Sequence, residues 1–483
     1  MSYKPWLRLV LLLIVVLHSG CLRNQPNVQT TSDEIETHQK KTISAEATSS
    51  ANTEESRNDE IISTLAPINP ADLKGITIQF WHIWFGEQGK LLQTLVDEFN
   101  LSNEFGIRIE STYQGNYNDL YQKIETAILS EQLPDLSLGY MYQIRSWHNA
   151  RDVVINQTPY QNDPTWGLAA SEHTDFYPIF WEQGIINGAR LGMPAQQFAQ
   201  VMVYNRTWAR QLGYETPPTT PKEFKEQVCA AAQSYRFDND PQNDGTGGWA
   251  INTSPTVVLS WLYAFGSRVL HPSNAGYLFN TQASHDALAF LKDLKDSGCA
   301  WQSNEPYAEA EFAQRRALMI TASIADLPYL ERSLQQAGSR DEWTVLAFPS
   351  PIDQPVIVVY GPSFVVFKST PERQLACWLF IRWLLSPQNQ ARWIEVSGTL
   401  PTRASTTQAL SRYASSHAQW ATAVALLPYA HVEPSFPSWS VVRWAVSDVG
   451  TQVFRSYFVP ERIPATLQLL DETAAELDES FPK

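Results

Sequence analysis

The spacing of apolar and polar positions changes character twice along the chain. Residues 9–17 (LVLLLIVVL) form an unbroken apolar run behind Lys4 and Arg8. That is the layout of a secretory signal, and the run falls short of the ~20 apolar residues a membrane span requires. Residues 23–72 then contain no aromatic side chain and are rich in Ser, Thr, Glu, Asn and Gln. Such a stretch cannot bury enough apolar surface to offset the entropy of ordering, so it predicts a disordered, leash-like tether.

From Gly75 onward the pattern becomes periodic. Residues 76–81 (ITIQFW) form a β-type run. Residues 88–100 place Leu91, Leu92, Leu95, Val96 and Phe99 at helical spacing. A strand at 107–113, a helix at 117–130 and a short apolar strand at 135–140 follow. Strand, helix, strand, helix, strand implies a parallel sheet with crossover helices, whose ligands bind beyond the carboxyl ends of the strands. Residues 221–234 and 284–297 predict amphipathic helices. Strand character returns at 317–322, 343–348 and 364–367. Thr370 and Pro371 mark the start of a helix over 372–385, and 440–458 and 464–479 predict two closing helices. No internal repeat is visible.

Ser19, Gly20 and Cys21 give the apolar run the small-small-Cys ending of a bacterial lipoprotein signal, in which the Cys carries lipid. His18 stands where such signals usually have Leu, so an ordinary cleaved signal is the alternative. The expected boundaries are a signal at 1–20 and a tether at 21–74. About 410 residues then remain, too many for one core. The net charge of −15 argues against nucleic acid and anionic lipid as general partners. The 17 Trp and 19 Tyr exceed what a core alone needs, and such rings also stack on flat ligand faces. Cys229, Cys299 and Cys377 fit no metal motif. A Cys229–Cys299 disulfide and buried free thiols both remain open.

Several segments taken in order resemble one family. "IQFWHIWFGEQGKLLQTLVDEFN", "YQGNYNDLYQKIETAILSEQLPDL", "GMPAQQFAQVMVYNRTWARQLG", "PPTTPKEF", "FAQRRALMITASIADL" and "FIRWLLSPQNQARWIEVSGTLPTR" are similar to stretches of the extracytoplasmic solute-binding proteins of ABC importers, family 1. This is the group that binds sugars and glycerol phosphates. The resemblance runs from about Gly75 to the end and rests on the ordered set. It implies a two-lobed α/β fold, the type II periplasmic-binding-protein fold, with discontinuous lobes, a ligand cleft and a hinge. The expected division is 75–193 and 317–369 for one lobe, and 194–316 and 370–483 for the other. It also implies no catalysis, no cofactor, a monomer, a small-molecule solute as ligand and ABC permease subunits as partners. Lipid on Cys21 would add a membrane attachment.

The resemblance nominates ligand contacts. Trp84, Glu87 and Gln88, beside His82, lie in the loop after the first strand. Glu87 reads equally well as a solvated carboxylate at a helix start. Tyr142 and Gln143 follow the third strand, and Tyr140 suits a core position better. Gln196 and Gln197 lie at the crossover. Ser323 is otherwise a helix cap, Gly361 a turn residue, and Ser363 follows it. Trp439 and Arg443, four residues apart on a helix, would present an aromatic platform and a cation on one side. Their alternative is lobe packing and a structural ion pair. Arg443 also suits a phosphate, so a glycerol phosphodiester stands beside a mono- or oligosaccharide as ligand.

Two other readings use leftover residues. A glycoside hydrolase needs two carboxylates across a cleft. Glu87, Glu182 and Asp326 are available, without a motif to pair them. Asp238, Asp240, Asn243 and Asp244 precede Gly245 in calcium-loop fashion, but Gln242 and Asn243 break the order and the twelfth position lacks Glu. A surface turn without metal is expected there.

Overall fold

The computed structural model describes residues 65–482 except Asn274 and Pro306. The expected signal, Cys21 and most of the tether lie outside the described residues. The ordered body starts slightly before Gly75. Asn69 caps a short turn at Pro70–Leu73, and Leu73 is buried in the first core.

Two sheets carry the fold. In the first, strands Thr77–His82, Arg108–Tyr113 and Leu136–Gly139 run parallel, joined by helices Gly86–Ser102 and Tyr117–Ser130. Ile78, Phe80 and His82 alternate inward along the first strand. The second helix starts at a capping box. Asn116 accepts from the Asn118 and Asp119 amides, and Asp119 accepts from the Asn116 amide at 3.0 Å. Leu120, Ile124 and Ala127 then form its buried stripe. Strands Ser363–Val366 and Met193–Pro194 extend the sheet in antiparallel pairing, so it is parallel only in part.

The second sheet is built around Phe198–Asn205. Ala317–Ser323 pairs along one edge of this strand, while Ile357–Tyr360 and Trp343–Leu346 share the other. Gly247–Ala250 and Ala300–Trp301 continue the first side, and Ala430–Val432 closes the second. Met202 and Tyr204 point into a cluster with Trp249, Trp261 and Trp439. Val201 and Val203 point into another with Ile320 and Ile357. Burial on both faces explains why these strands read as continuous apolar runs.

The strand pairing departs from the expected lobe boundaries. The segments at 317–323, 343–346 and 357–360 belong to the second sheet, not to a return of the first lobe. The return begins only at Ser363. Helix Pro371–Leu384 buries Leu375, Trp378 and Ile381 in the first core, so residue 370 does not open a second-lobe segment. Two adjacent crossings link the sheets, at 195–197 and at Gly361 and Pro362. A third strand of chain touches them where the Leu400 amide donates to the Gln197 carbonyl at 2.8 Å.

A disulfide joins Cys229 on helix Pro221–Arg236 to Cys299, beside strand Ala300–Trp301, and Cys377 is a buried free thiol. The Asp-rich loop is an exposed turn in which Asp238 accepts from the Asp240 amide and from Asn243 Nδ2 at 2.8 Å each. No helix among the described residues is long and apolar enough to cross a membrane.

Candidate ligand-binding site

A cleft of about 430 Å³ opens between the two sheets. It lies at the carboxyl end of strand Leu136–Gly139, where Tyr140 and Tyr142 emerge at the start of helix Met141–Arg151. The opposite side brings Tyr360 and Gly361 from the crossing strand, Tyr263 from the end of helix Pro255–Ala264 and Arg268 from the loop after it, and His431 from the edge strand with Glu433 just beyond its end. Glu182 and Gln183 complete one rim. Tyrosines therefore reach the cleft from both sides.

Their geometry is fixed by neighbours. The Tyr140 and Tyr142 rings stack at 5.6 Å with planes 14° apart, and Tyr117 backs Tyr140 at 5.2 Å. The Tyr263 hydroxyl donates to the Val432 carbonyl at 3.2 Å. Burial raises the phenol pKa of Tyr140, Tyr142, Tyr263 and Tyr360, so all stay protonated at neutral pH. Burial, with the Arg268 cation second, lowers the pKa of His431 and keeps that imidazole neutral near pH 7.

Beneath the cleft, Glu433 gathers donors. Thr256 Oγ1 donates to it at 2.6 Å, Trp439 Nε1 at 3.2 Å and Arg443 Nη2 at 3.5 Å. Arg443 Nη1 also reaches the Tyr142 hydroxyl at 3.4 Å. Arg443 is thus a support for the Tyr142 phenol, tied to an acid, and not a free cation. Trp439 is fully buried, stacked on Tyr277 at 6.1 Å, and does not line the cleft. The expected platform is core.

Of the nominated residues, the structure brings Tyr142 and Gly361 to the cleft surface. Gly361 has φ +154°, and a Cβ there would collide with the Gln196 carbonyl oxygen, so the crossing requires glycine. Gln196 and Gln197 are buried in the crossing. Gln196 Oε1 accepts from Trp84 Nε1 at 2.7 Å. Gln197 accepts from Gln183 at 2.9 Å and donates to the Pro362 carbonyl at 3.2 Å. Trp84 is core, edge-on to Trp393 at 4.5 Å. Gln143 caps its own helix by accepting from the Tyr140 amide at 2.9 Å. Ser323 caps the turn Ile324–Asp326 and hydrogen-bonds Tyr360, one layer behind the cleft. Ser363 is buried in the first sheet. Glu87 is exposed and paired with Lys90 at 2.7 Å, and Gln88 sits half-buried beside it.

Tyr263, Tyr360, Arg268, His431 and Glu433 were not nominated. Tyr360 had a visible signal, since it directly precedes Gly361. The others lie on segments joined to the cleft only through distant pairing.

Residues 94–427 match the profile of the bacterial extracellular solute-binding proteins. The chain belongs to that family. This solute-binding protein is 21% identical over 345 residues to the sn-glycerol-3-phosphate-binding periplasmic protein of Escherichia coli K12, covering 67% of this chain and 74% of the relative. The sugar-binding protein MalE of Xanthomonas citri superposes with a TM-score of 0.71 at 20% identity, over 83% of this chain and 97% of the other. A Mycobacterium tuberculosis protein, UgpB, solved with glycerophosphocholine, gives 0.66 at 17% identity over 83% and 98%. The solute-binding protein is accordingly extracytoplasmic, two-lobed and of the type that serves ABC importers. It is a binding protein and not an enzyme. Of the carboxylates offered for hydrolysis, Glu182 alone lines the cleft, Glu87 faces solvent, and Asp326 accepts from the Ser323 amide at 3.1 Å.

Proposed function

We propose that this solute-binding protein captures a saccharide in the tyrosine-lined cleft and presents it to the membrane subunits of an ABC importer. The carrying observation is the convergence of Tyr140, Tyr142, Tyr263 and Tyr360 from both sides on one cleft. Flat phenol faces suit the C–H faces of a sugar, and Glu182, Gln183 and Glu433 offer acceptors and donors for hydroxyls. The lobes would close by rotation about the crossings at 195–197, Gly361 and Pro362. A lipid on Cys21 would hold the body near the membrane.

A second reading has its own observation. Arg268 lines the cleft, is exposed, and has no carboxylate within ion-pair distance among the described residues. A guanidinium so placed suits the phosphate of a glycerol phosphodiester. Melting of the soluble body separates the two. A saturating ligand at a hundredfold excess over Kd adds ~2.7 kcal/mol. For a saccharide, the shift appears with wild type and disappears in Tyr142→Ala. For glycerophosphocholine, it disappears in Arg268→Gln. A body that responds to neither class overturns both readings. Cys21→Ala should release the protein from the membrane fraction, and retention would refute the anchor.

A further inference from the structure

We infer that one side of helix Met141–Arg151 is a latch that clasps the second lobe and holds the cleft shut, with Arg145 as its central residue. This rests on the hinge closure proposed above. Helical periodicity divides the helix between the two lobes. Met141, Ile144 and Trp147 form a buried stripe in the core of the first sheet. Tyr142, Arg145 and Asn149 make a second stripe, at the spacing of three and four residues that puts side chains on one face. Every member of that stripe meets the other lobe. The Tyr142 hydroxyl accepts from Arg443 Nη1, the Arg145 guanidinium sits 4.7 Å over the Phe436 ring, and Asn149 Nδ2 donates to the Pro482 carbonyl at 3.2 Å.

The receiving surface is held by its own neighbours. Phe436 is buried against Tyr277, with ring centres 5.5 Å apart. The Tyr277 hydroxyl hydrogen-bonds Ser438 Oγ at 3.0 Å, and Ser438 in turn donates to Asp478. Asp478 lies on the closing helix Ile463–Glu479, whose Leu467, Leu470 and Ala474 belong to the core of the second lobe. Its charge acts on the latch, since burial lowers the pKa of Arg145 and the Asp478 carboxylate opposes that shift. The clasp is poised to release. Arg145 Nε is buried with no hydrogen-bond partner among the described residues. A guanidinium so held regains water when it leaves, which offsets the ring contact it gives up. A permanent interface between lobes would be large and apolar. Here the first lobe offers a hydroxyl, a guanidinium and an amide. Rotation about the crossings at 195–197, Gly361 and Pro362 can part this stripe from its partners without breaking either core.

Distances between spin labels test the latch. In a Cys21→Ala background the bridged Cys229 and Cys299 and the buried Cys377 take no label, so Leu129→Cys and Leu469→Cys report one distance between the lobes. Both positions are exposed, one on helix Tyr117–Ser130 of the first lobe and the other on helix Ile463–Glu479 of the second. The expected result is a short distance that dominates with the latch intact. In an Arg145→Ala/Asn149→Ala double variant the ratio of long to short distances should rise about tenfold, the combined size of one cation–π contact and one hydrogen bond. Neither side chain belongs to a core, and an unchanged circular dichroism spectrum shows that the variant is folded. Mixed short and long distances in the unaltered stripe, left as they are by the double variant, overturn the inference and leave hinge closure intact. One narrow distance with and without the stripe shows a rigid body, and the latch and the hinge closure fall together.

Discussion

On the two sides of the Glu433–Arg443 pair, aromatic residues do opposite things. Below it, Trp439 gives its indole N–H to Glu433 and its ring to Tyr277, and no part of it meets solvent. Above it, Tyr142 takes the Arg443 guanidinium on its hydroxyl and leaves its ring at the cleft. The lower ring is engaged on every side and holds the lobe together. The upper one is held at its polar end by Arg443 and on one ring face by Tyr140, which presents the rest of the ring at the cleft in a fixed orientation. An aromatic residue near an arginine is therefore no guide to a binding platform until its ring faces are accounted for.

Substitutions should separate the two roles. Trp439→Ala should cost ~3–5 kcal/mol of stability, because it empties a packed core site and orphans an acceptor on Glu433. Tyr142→Ala should lower the denaturation midpoint less than Trp439→Ala does, because its ring is only partly buried against the core, and should abolish saccharide binding. Equal effects of the two on stability would erase the distinction. Gly361→Ala should come next, at roughly 3 kcal/mol, since its Cβ forces the crossing apart from the Gln196 carbonyl. Its denaturation midpoint reads this directly.

A smaller effect depends on pH. Burial lowers the pKa of His82 to about 4, from 6.5 in the unfolded chain. Above pH 6.5 the group is neutral in both states and its full contribution is present. As pH falls below 6.5 the unfolded chain takes the proton first, so stability drops by ~2 kcal/mol by pH 5 and levels off below pH 4. His82→Gln should flatten that part of the profile in chemical denaturation. Last, Glu87→Gln breaks only an exposed pair with Lys90 and should leave the melting temperature unchanged.

Local pattern carried much of the fold. The helix Tyr117–Ser130 was legible to the residue, because its capping box and apolar stripe lie within its own sequence. The first three strands were legible to within a residue or two for the same reason. What local pattern could not carry was membership of a sheet. Ala317–Ser323 is an apolar strand whichever lobe it joins, and its partner Phe198–Asn205 lies far back in the chain. The site suffered in the same way, since Tyr263 on its helix and His431 on the edge strand paired to Ile357–Tyr360 meet only in the tertiary fold, at 5.4 Å between rings. For Trp439 a signal did exist. Trp439, Val442, Val446, Val449 and Val453 form one helical stripe, and all are buried. A tryptophan heading a valine stripe belongs to the core face.

The disulfide makes stability depend on the compartment. Cys229 and Cys299 are 70 residues apart in sequence. Closing a loop of that length removes unfolded-chain entropy worth ~4 kcal/mol in the chain-entropy description. A newly made chain in a reducing cytoplasm folds without this contribution. It gains the missing stability only where oxidants are at hand. The same bond that secures the body in an oxidising extracellular setting is thus absent wherever reductants keep the two thiols apart.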